Sequence, residues 1–203
     1  IGGDYYDTVQ LSPKIMGIAV ADVSGHGIAP ALAMTAFRSL LRFHAKGEID
    51  PAGMAEQLNH LLPEFTGNSH FITLCYGELN TENDESTFVS CGHPSPQLLH
   101  CNGQSEGLHN NGPALGIFSA VDYINESKTL APGDILIIYT DGVVEVENQK
   151  GDPFGVDWLI KVVSNYRQSP AKTILEKVIA ETRAFSGSKT YRDDFTLVIV
   201  KKE

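Results

Sequence analysis

Four aspartates sit in short motifs marked by glycine or by a second aspartate. They are Asp4 in Gly2-Gly3-Asp4, Asp22 in Asp22-Val23-Ser24-Gly25-His26-Gly27, Asp141 in Tyr139-Thr140-Asp141-Gly142, and Asp193 in Arg192-Asp193-Asp194-Phe195-Thr196. The last three end, or immediately precede, an apolar run that reads as a strand. Strands converging in one sheet bring such carboxylates together. Clustered carboxylates repel unless a cation lies among them, and hard oxygen donors suit Mg²⁺ or Mn²⁺. Metal-dependent phosphoryl chemistry is the first expectation.

Taken singly, each motif also has a plain structural reading. Gly25 and Gly27 allow a tight turn from a strand into a helix, in which Asp22 or Ser24 would merely cap. Asp141-Gly142 reads equally as a strand-end turn, although a carboxylate ending a buried strand is costly unless paired or metal-bound. Glu145 lies four residues on and reaches the same place if the chain turns helically there. Adjacent carboxylates in an extended segment face opposite ways, so one of Asp193 and Asp194 points inward. Gly2-Gly3-Asp4 resembles the Gly-Gly-Asp of diguanylate cyclases, but Tyr5-Tyr6 follow it here. His26 and His93 lie in Gly-rich turns and could face a site; His44, His60, His70, His100 and His109 read as surface or packing residues. There is no G-x-S-x-G elbow and no cysteine in a nucleophilic setting, which argues against a serine or cysteine hydrolase.

The elements that must position these residues follow from periodicity and turn chemistry. Strands are predicted at Asp4–Leu11 and Ile15–Val23, joined by Ser12-Pro13-Lys14. A helix follows over Ile28–His44, with apolar residues at Ile28, Leu32, Ala36, Leu40, Leu41 and Phe43. Asp50-Pro51 starts a second helix whose apolar face is Met54, Leu58, Leu61 and Leu62. Phe71–Leu79 and Ser86–Cys91 read as a hairpin, and Gln97–Cys101 as a short strand. Residues 103–118 read as loop, Asp122–Leu130 as a weakly patterned strand and Ile135–Thr140 as a buried one. Helices are expected at Val156–Tyr166 and Ala171–Phe185. The second is capped by Ser169 and turns Ile174, Val178 and Ile179 inward. Phe195–Lys201 closes the chain as a strand. Strands and helix pairs in blocks, rather than alternating βαβ units, predict an α+β fold with helix pairs packed on antiparallel sheets.

Composition bounds the remaining options. The chain of 203 residues is 42% hydrophobic, which suits one globular domain with a full core. A net charge of −10 without a Lys/Arg cluster argues against nucleic acid and anionic membrane surfaces as partners. No apolar run approaches the ~20 residues of a membrane span, and no signal peptide is expected. Cys75, Cys91 and Cys101 lie in or beside apolar runs without a C-x-x-C pair, so buried free thiols in a reducing, cytoplasmic compartment are expected. The chain opens at Ile1 directly into a motif, as expected of a domain from a longer protein.

The ordered set GGDYYD, DVSGHG, CGHPSP, GPALGI, YTDGVVEVEN, FG and DDFTLVIV resembles the PPM (phosphatase 2C-type) family of metal-dependent protein serine/threonine phosphatases. It is most similar to the bacterial branch typified by stage II sporulation protein E. The resemblance runs from residue 2 to residue 200. It implies a central β-sandwich of two antiparallel sheets flanked by helix pairs, a four-layer α-β-β-α arrangement. It also implies two Mn²⁺ or Mg²⁺ ions bridged by Asp22, with the Val23 carbonyl on one ion, Asp141 and Asp193 on the other, and Asp4 completing the shell. Glu145 would hold a third, weaker ion. The nucleophile would be a water activated by the ions, acting on phosphoserine or phosphothreonine. Ser24 occupies the place where animal relatives carry a proposed general-acid histidine, which leaves His26 as the candidate proton donor. The Arg that holds phosphate in animal relatives lies upstream of the first acidic motif, ahead of where this sequence begins, and Arg192 is the candidate substitute, with a surface ion pair as its plain reading. The implied substrate is a phosphorylated STAS-type anti-sigma-factor antagonist, and the implied setting is the C-terminal output domain of a signalling chain with an upstream sensor or receiver domain. Both a monomer and a homodimer fit. The first helix grows from the Asp22 loop and would transmit a signal to it.

Two other readings compete. A haloacid-dehalogenase-like phosphatase needs a nucleophilic Asp two residues before Asp141, and that place is Tyr139. A degenerate, non-catalytic phosphatase fold that only binds partners is opposed by the presence of all four carboxylates.

Overall fold

The computed structural model describes residues 2–25, 27–47, 49–66, 70–109, 112–188 and 190–203. Its contacts divide the chain into two compact units, residues 1–95 with 109–130, and residues 96–108 with 131–203.

The first unit carries β1 (Asp4–Ser12), β2 (Ile15–Val23), β3 (Ile72–Asn80), β4 (Glu85–Cys91) and β7 (Glu126–Thr129), with helices α1 (Ile28–His44) and α2 (Pro51–Thr66). Its five-stranded sheet has the order β1-β2-β3-β4-β7, antiparallel throughout. Alternation decides which side chains meet the helices. Tyr5, Ala19, Ala21, Val23, Ile72, Leu74, Tyr76, Val89 and Cys91 share one core with Met34, Phe37 and Leu41 of α1 and Met54, Leu58 and Leu62 of α2. Burying each large apolar side chain of this kind is worth about 1.5–3 kcal/mol. Asp50 caps α2 through Oδ1, which accepts from the Gly53 N–H at 2.8 Å.

The second unit carries β5 (Gln97–Leu99), β6 (Ser105–Gly107), β8 (Ile135–Tyr139) and β9 (Leu197–Lys201), with α3 (Asp141–Val144), α4 (Gly155–Asn165) and α5 (Ala171–Ser186). Its sheet order is β6-β5-β8-β9, again antiparallel. Every residue of β8 is buried, as its unbroken apolar run predicts. Ile135, Ile137 and Tyr139 pack with Leu159, Val162 and Val163 of α4 and Ile174 and Val178 of α5.

The α+β class, the two antiparallel sheets and their helix pairs therefore match the expectation. Several local details differ. Ser105–Gly107 forms an edge strand inside the stretch read as loop, held by backbone pairing to β5 rather than by any apolar pattern. Asp141–Val144 forms a helical turn too short to show periodicity. Pro170, not Ser169, occupies the N-cap of α5, with no side-chain cap. On α1, Met34, Phe37 and Leu41 face the core, whereas Ile28, Leu32 and Phe43 are exposed. Cys75 and Cys91 are buried free thiols as expected, but Cys101 is exposed because it lies in the turn after β5.

Candidate functional site

Asp4 and Asp22 lie directly opposite each other on β1 and β2. Their chain neighbours Tyr5, Ala21 and Val23 belong to the core under α1 and α2, so both carboxylates project from the other face of the sheet. Both residues are half-buried. Residue 3 is glycine for a steric reason: a Cβ there would stand 2.7 Å from the Val23 carbonyl oxygen and 3.0 Å from Asp22 Oδ1. Those two oxygens therefore lie close together, packed against the bare Cα of Gly3. Two hard oxygen donors side by side are the kind of donor set that suits a divalent cation such as Mg²⁺ or Mn²⁺.

The turn after Asp22 is held by residues that the sequence did not single out for it. The Ser24 N–H donates to the Phe71 carbonyl at 3.0 Å, and Ser24 Oγ accepts from the Phe71 N–H at 3.1 Å. His70 Nδ1 lies 2.9 Å from the Ser24 carbonyl oxygen. Ser24 thus anchors the loop to the segment that enters β3, and His70 serves the Asp22 loop rather than the general surface. Gly25 and Gly27 then take φ values of 95° and 102°, which other residues rarely adopt, before α1 begins. His26, the candidate proton donor, falls outside the described residues.

In the second unit, β8 delivers Asp141 and the approach to β9 delivers Asp193. The Thr140 N–H donates to the Thr196 carbonyl at 3.1 Å, and the Thr196 N–H donates to Thr140 Oγ1 at 3.2 Å. This double link ties the two segments together just beyond the ladder. At Gly142 the contact is closer still, because a Cβ there would collide with the Asp194 carbonyl oxygen and would lie 3.6 Å from the Asp193 Cβ. The 191–196 segment is further fixed by Tyr191, which stacks on Phe195 at 4.3 Å and whose hydroxyl lies 2.7 Å from Thr182 Oγ1. Asp141 is exposed, and Glu145 follows it on the helical turn with its N–H on the Asp141 carbonyl at 2.9 Å. Glu145 is also exposed. Of the adjacent pair, Asp193 is exposed and Asp194 half-buried. Arg192 is 88% exposed at its side chain and donates to Glu147 Oε2 at 2.7 Å, the surface ion pair that was its plain reading.

Among the described residues, no three His, Cys, Asp or Glu side chains gather closely enough to form a metal site by themselves. The candidate ligands come as two pairs, Asp4 with Asp22 and Asp141 with the Asp193 segment, supplemented by a backbone carbonyl.

The fold is that of PP2C-type phosphatase domains. It matches the SiaA PP2C domain of Pseudomonas aeruginosa with a TM-score of 0.89 at 21% identity, over 100% of this chain and 81% of that one. It also matches RsbX solved in complex with magnesium, with a TM-score of 0.74 at 20% identity, over 98% of this chain and 86% of that one. The chain belongs to the Stage II sporulation protein E (SpoIIE) family, whose description matches residues 12–203. Among individual relatives it is 28% identical to phosphoserine phosphatase RsbU of Bacillus subtilis (strain 168), covering 100% of this chain and 60% of RsbU. No helix among the described residues is long and apolar enough to cross a membrane.

Proposed function

We propose that this chain is the catalytic domain of a metal-dependent protein serine/threonine phosphatase. The observation that carries the reading is the approach of Asp22 Oδ1 and the Val23 carbonyl oxygen to one another beside Gly3. Membership of the SpoIIE family and the likeness to a phosphoserine phosphatase support it.

In this reading Asp22, the Val23 carbonyl and Asp4 would hold Mn²⁺ or Mg²⁺ in the first unit, and Asp141 and Asp193 would hold it in the second. Glu145 offers a further carboxylate for a third ion. The oxygen-only donor set and the magnesium bound by the fold relative RsbX favour these metals. When bound, such ions activate a water for in-line attack on phosphorus and neutralise the phosphoryl oxygens. The chain's own residues do the rest. Arg192 exchanges Glu147 for a phosphoryl oxygen, a change open to an exposed side chain with a planar fork of donors. His26 gives a proton to the serine or threonine oxygen as the P–O bond breaks. Ser24 keeps the Asp22 turn in place through its three links to His70 and Phe71.

The proposed substrate is a phosphorylated STAS-type anti-sigma-factor antagonist in the cytoplasm. The domain would act as the output of a longer signalling chain. The likeness to RsbU over 60% of that protein's length supports the setting. The test is Mn²⁺-dependent release of phosphate from a phosphoserine peptide. Asp22→Asn should abolish both metal binding and turnover. A folded, Mn²⁺-loaded domain that releases no phosphate would instead be a binding module.

A further inference from the structure

Thr73 lies directly opposite Asp22 on the neighbouring strand, so three residues line up at one level across β1, β2 and β3: Asp4, Asp22 and Thr73. Ile72 and Leu74 on either side of Thr73 belong to the core under α1 and α2, which places the Thr73 side chain on the same face as both carboxylates. Directly opposed residues of an antiparallel pair have Cβ atoms about 4.5–5.5 Å apart, within reach of a hydroxyl and a carboxylate.

The far side of Thr73 is occupied by a histidine. Thr73 Oγ1 and His93 Nδ1 are 2.9 Å apart, and His93 is only 2% exposed. The bend that puts His93 there is built at Gly92, whose φ is 62° and whose N–H donates to the Gly112 carbonyl at 2.8 Å. A Cβ on Gly92 would stand 2.6 Å from the Ala114 N. A histidine buried this way has a fixed ring orientation, and its bonding partner then has a fixed hydroxyl direction.

We infer that Thr73 and His93 are a positioning pair for Asp22: His93 Nδ1–H donates to Thr73 Oγ1, and the Thr73 O–H is thereby directed at the Asp22 carboxylate, setting the rotamer with which it takes a metal ion. The inference rests on the proposed metal-binding role of Asp22. It gives the His93 of the Cys91-Gly92-His93-Pro94 turn a task away from proton transfer. Outer partners of this type typically change metal affinity by 10–100-fold.

The experiment is Mn²⁺ titration of the apo chain by calorimetry, with metal-free thermal melts as a control for folding. Thr73→Val keeps the shape and the strand propensity but removes the hydroxyl, and should weaken Mn²⁺ binding about tenfold or more. Thr73→Ser should restore it. His93→Phe should weaken binding similarly, whereas His93→Asn, whose amide N–H can stand in for Nδ1–H, should recover most of it. The double variant Thr73→Val/His93→Phe should be no weaker than Thr73→Val alone, because both act through one hydroxyl. In the unsubstituted protein, ¹⁵N spectra should show the Nδ1-protonated tautomer of His93. Mn²⁺ affinity of Thr73→Val within twofold of the original, beside loss of binding in Asp22→Asn, would overturn this inference and leave the phosphatase reading intact. Undiminished binding in Asp22→Asn would overturn the metal assignment itself.

Discussion

Asp4 and Asp22 are direct cross-strand partners, two acids placed opposite each other at the open end of β1 and β2. Like charges so placed destabilise a sheet by about 0.2–1 kcal/mol. A bound dication reverses the sign of that interaction. In EDTA, Asp4→Asn should therefore raise the thermal midpoint slightly. With Mn²⁺ at about 100 times its Kd, the unsubstituted chain should gain about 2.7 kcal/mol, and Asp4→Asn should gain clearly less. Melts with and without metal test both halves, and a lower midpoint for Asp4→Asn in EDTA would contradict the repulsion.

Gly3→Ala places a methyl 2.7 Å from the Val23 carbonyl oxygen and 3.0 Å from Asp22 Oδ1. The methyl would push both proposed ligand oxygens aside. Mn²⁺ affinity should fall at least tenfold, as for a displaced ligand or its support. Strain from the added methyl should cost about 1–3 kcal/mol. Calorimetry and urea unfolding separate the two effects.

Thr140→Val removes the acceptor of the Thr196 N–H while preserving side-chain shape. Thr140 is 1% exposed, so water reaches the vacated position poorly. The expected loss is about 1–3 kcal/mol, seen as a lower urea midpoint at unchanged slope. Mn²⁺ affinity should fall as well, because Asp193 is held near Asp141 by this link.

Burial pushes the Cys75 thiol up to about 12 and raises that of Cys91 as well. Thiolate is the reactive form, so both stay inert through pH 9 in the folded protein. Cys101 is exposed. Ellman's reagent at pH 8 should titrate one thiol per native chain and all three in guanidinium. Fast reaction of a second native thiol would show that the core around β3 and β4 opens readily.

Arg192→Ala removes an exposed ion pair with Glu147, and stability should change by less than about 0.5–1 kcal/mol. If Arg192 grips the phosphoryl group, KM for a phosphoserine peptide should rise several-fold at an unchanged melting temperature. An unchanged KM would return Arg192 to a surface role.

Strand and helix positions were legible because they depend on short-range periodicity. The unbroken apolar run before Asp141 predicts the buried β8, and Asp50-Pro51 predicts the start of α2. The misses share a cause. Ser105–Gly107 carries no apolar signal because an edge strand needs only backbone pairing. Ile28, Leu32 and Phe43 reinforce a helical pattern, yet the structure exposes them because the face containing Met34, Phe37 and Leu41 meets the sheet. Cys101 follows an apolar run but sits in the turn beyond it.

By itself the sequence determined the types and order of the acidic motifs, and with them the family and the donor chemistry. Those properties are local: an Asp beside Gly at a strand end is visible without knowing which strand lies next to it. Only the tertiary structure decided that Asp4 meets Asp22, that oxygens of Val23 and Asp22 come together beside Gly3, and that His93 reaches Thr73. Each of these depends on strand register and on the return of distant chain segments. A period of two specifies a side chain's face, but the partner across the ladder is set by long-range pairing.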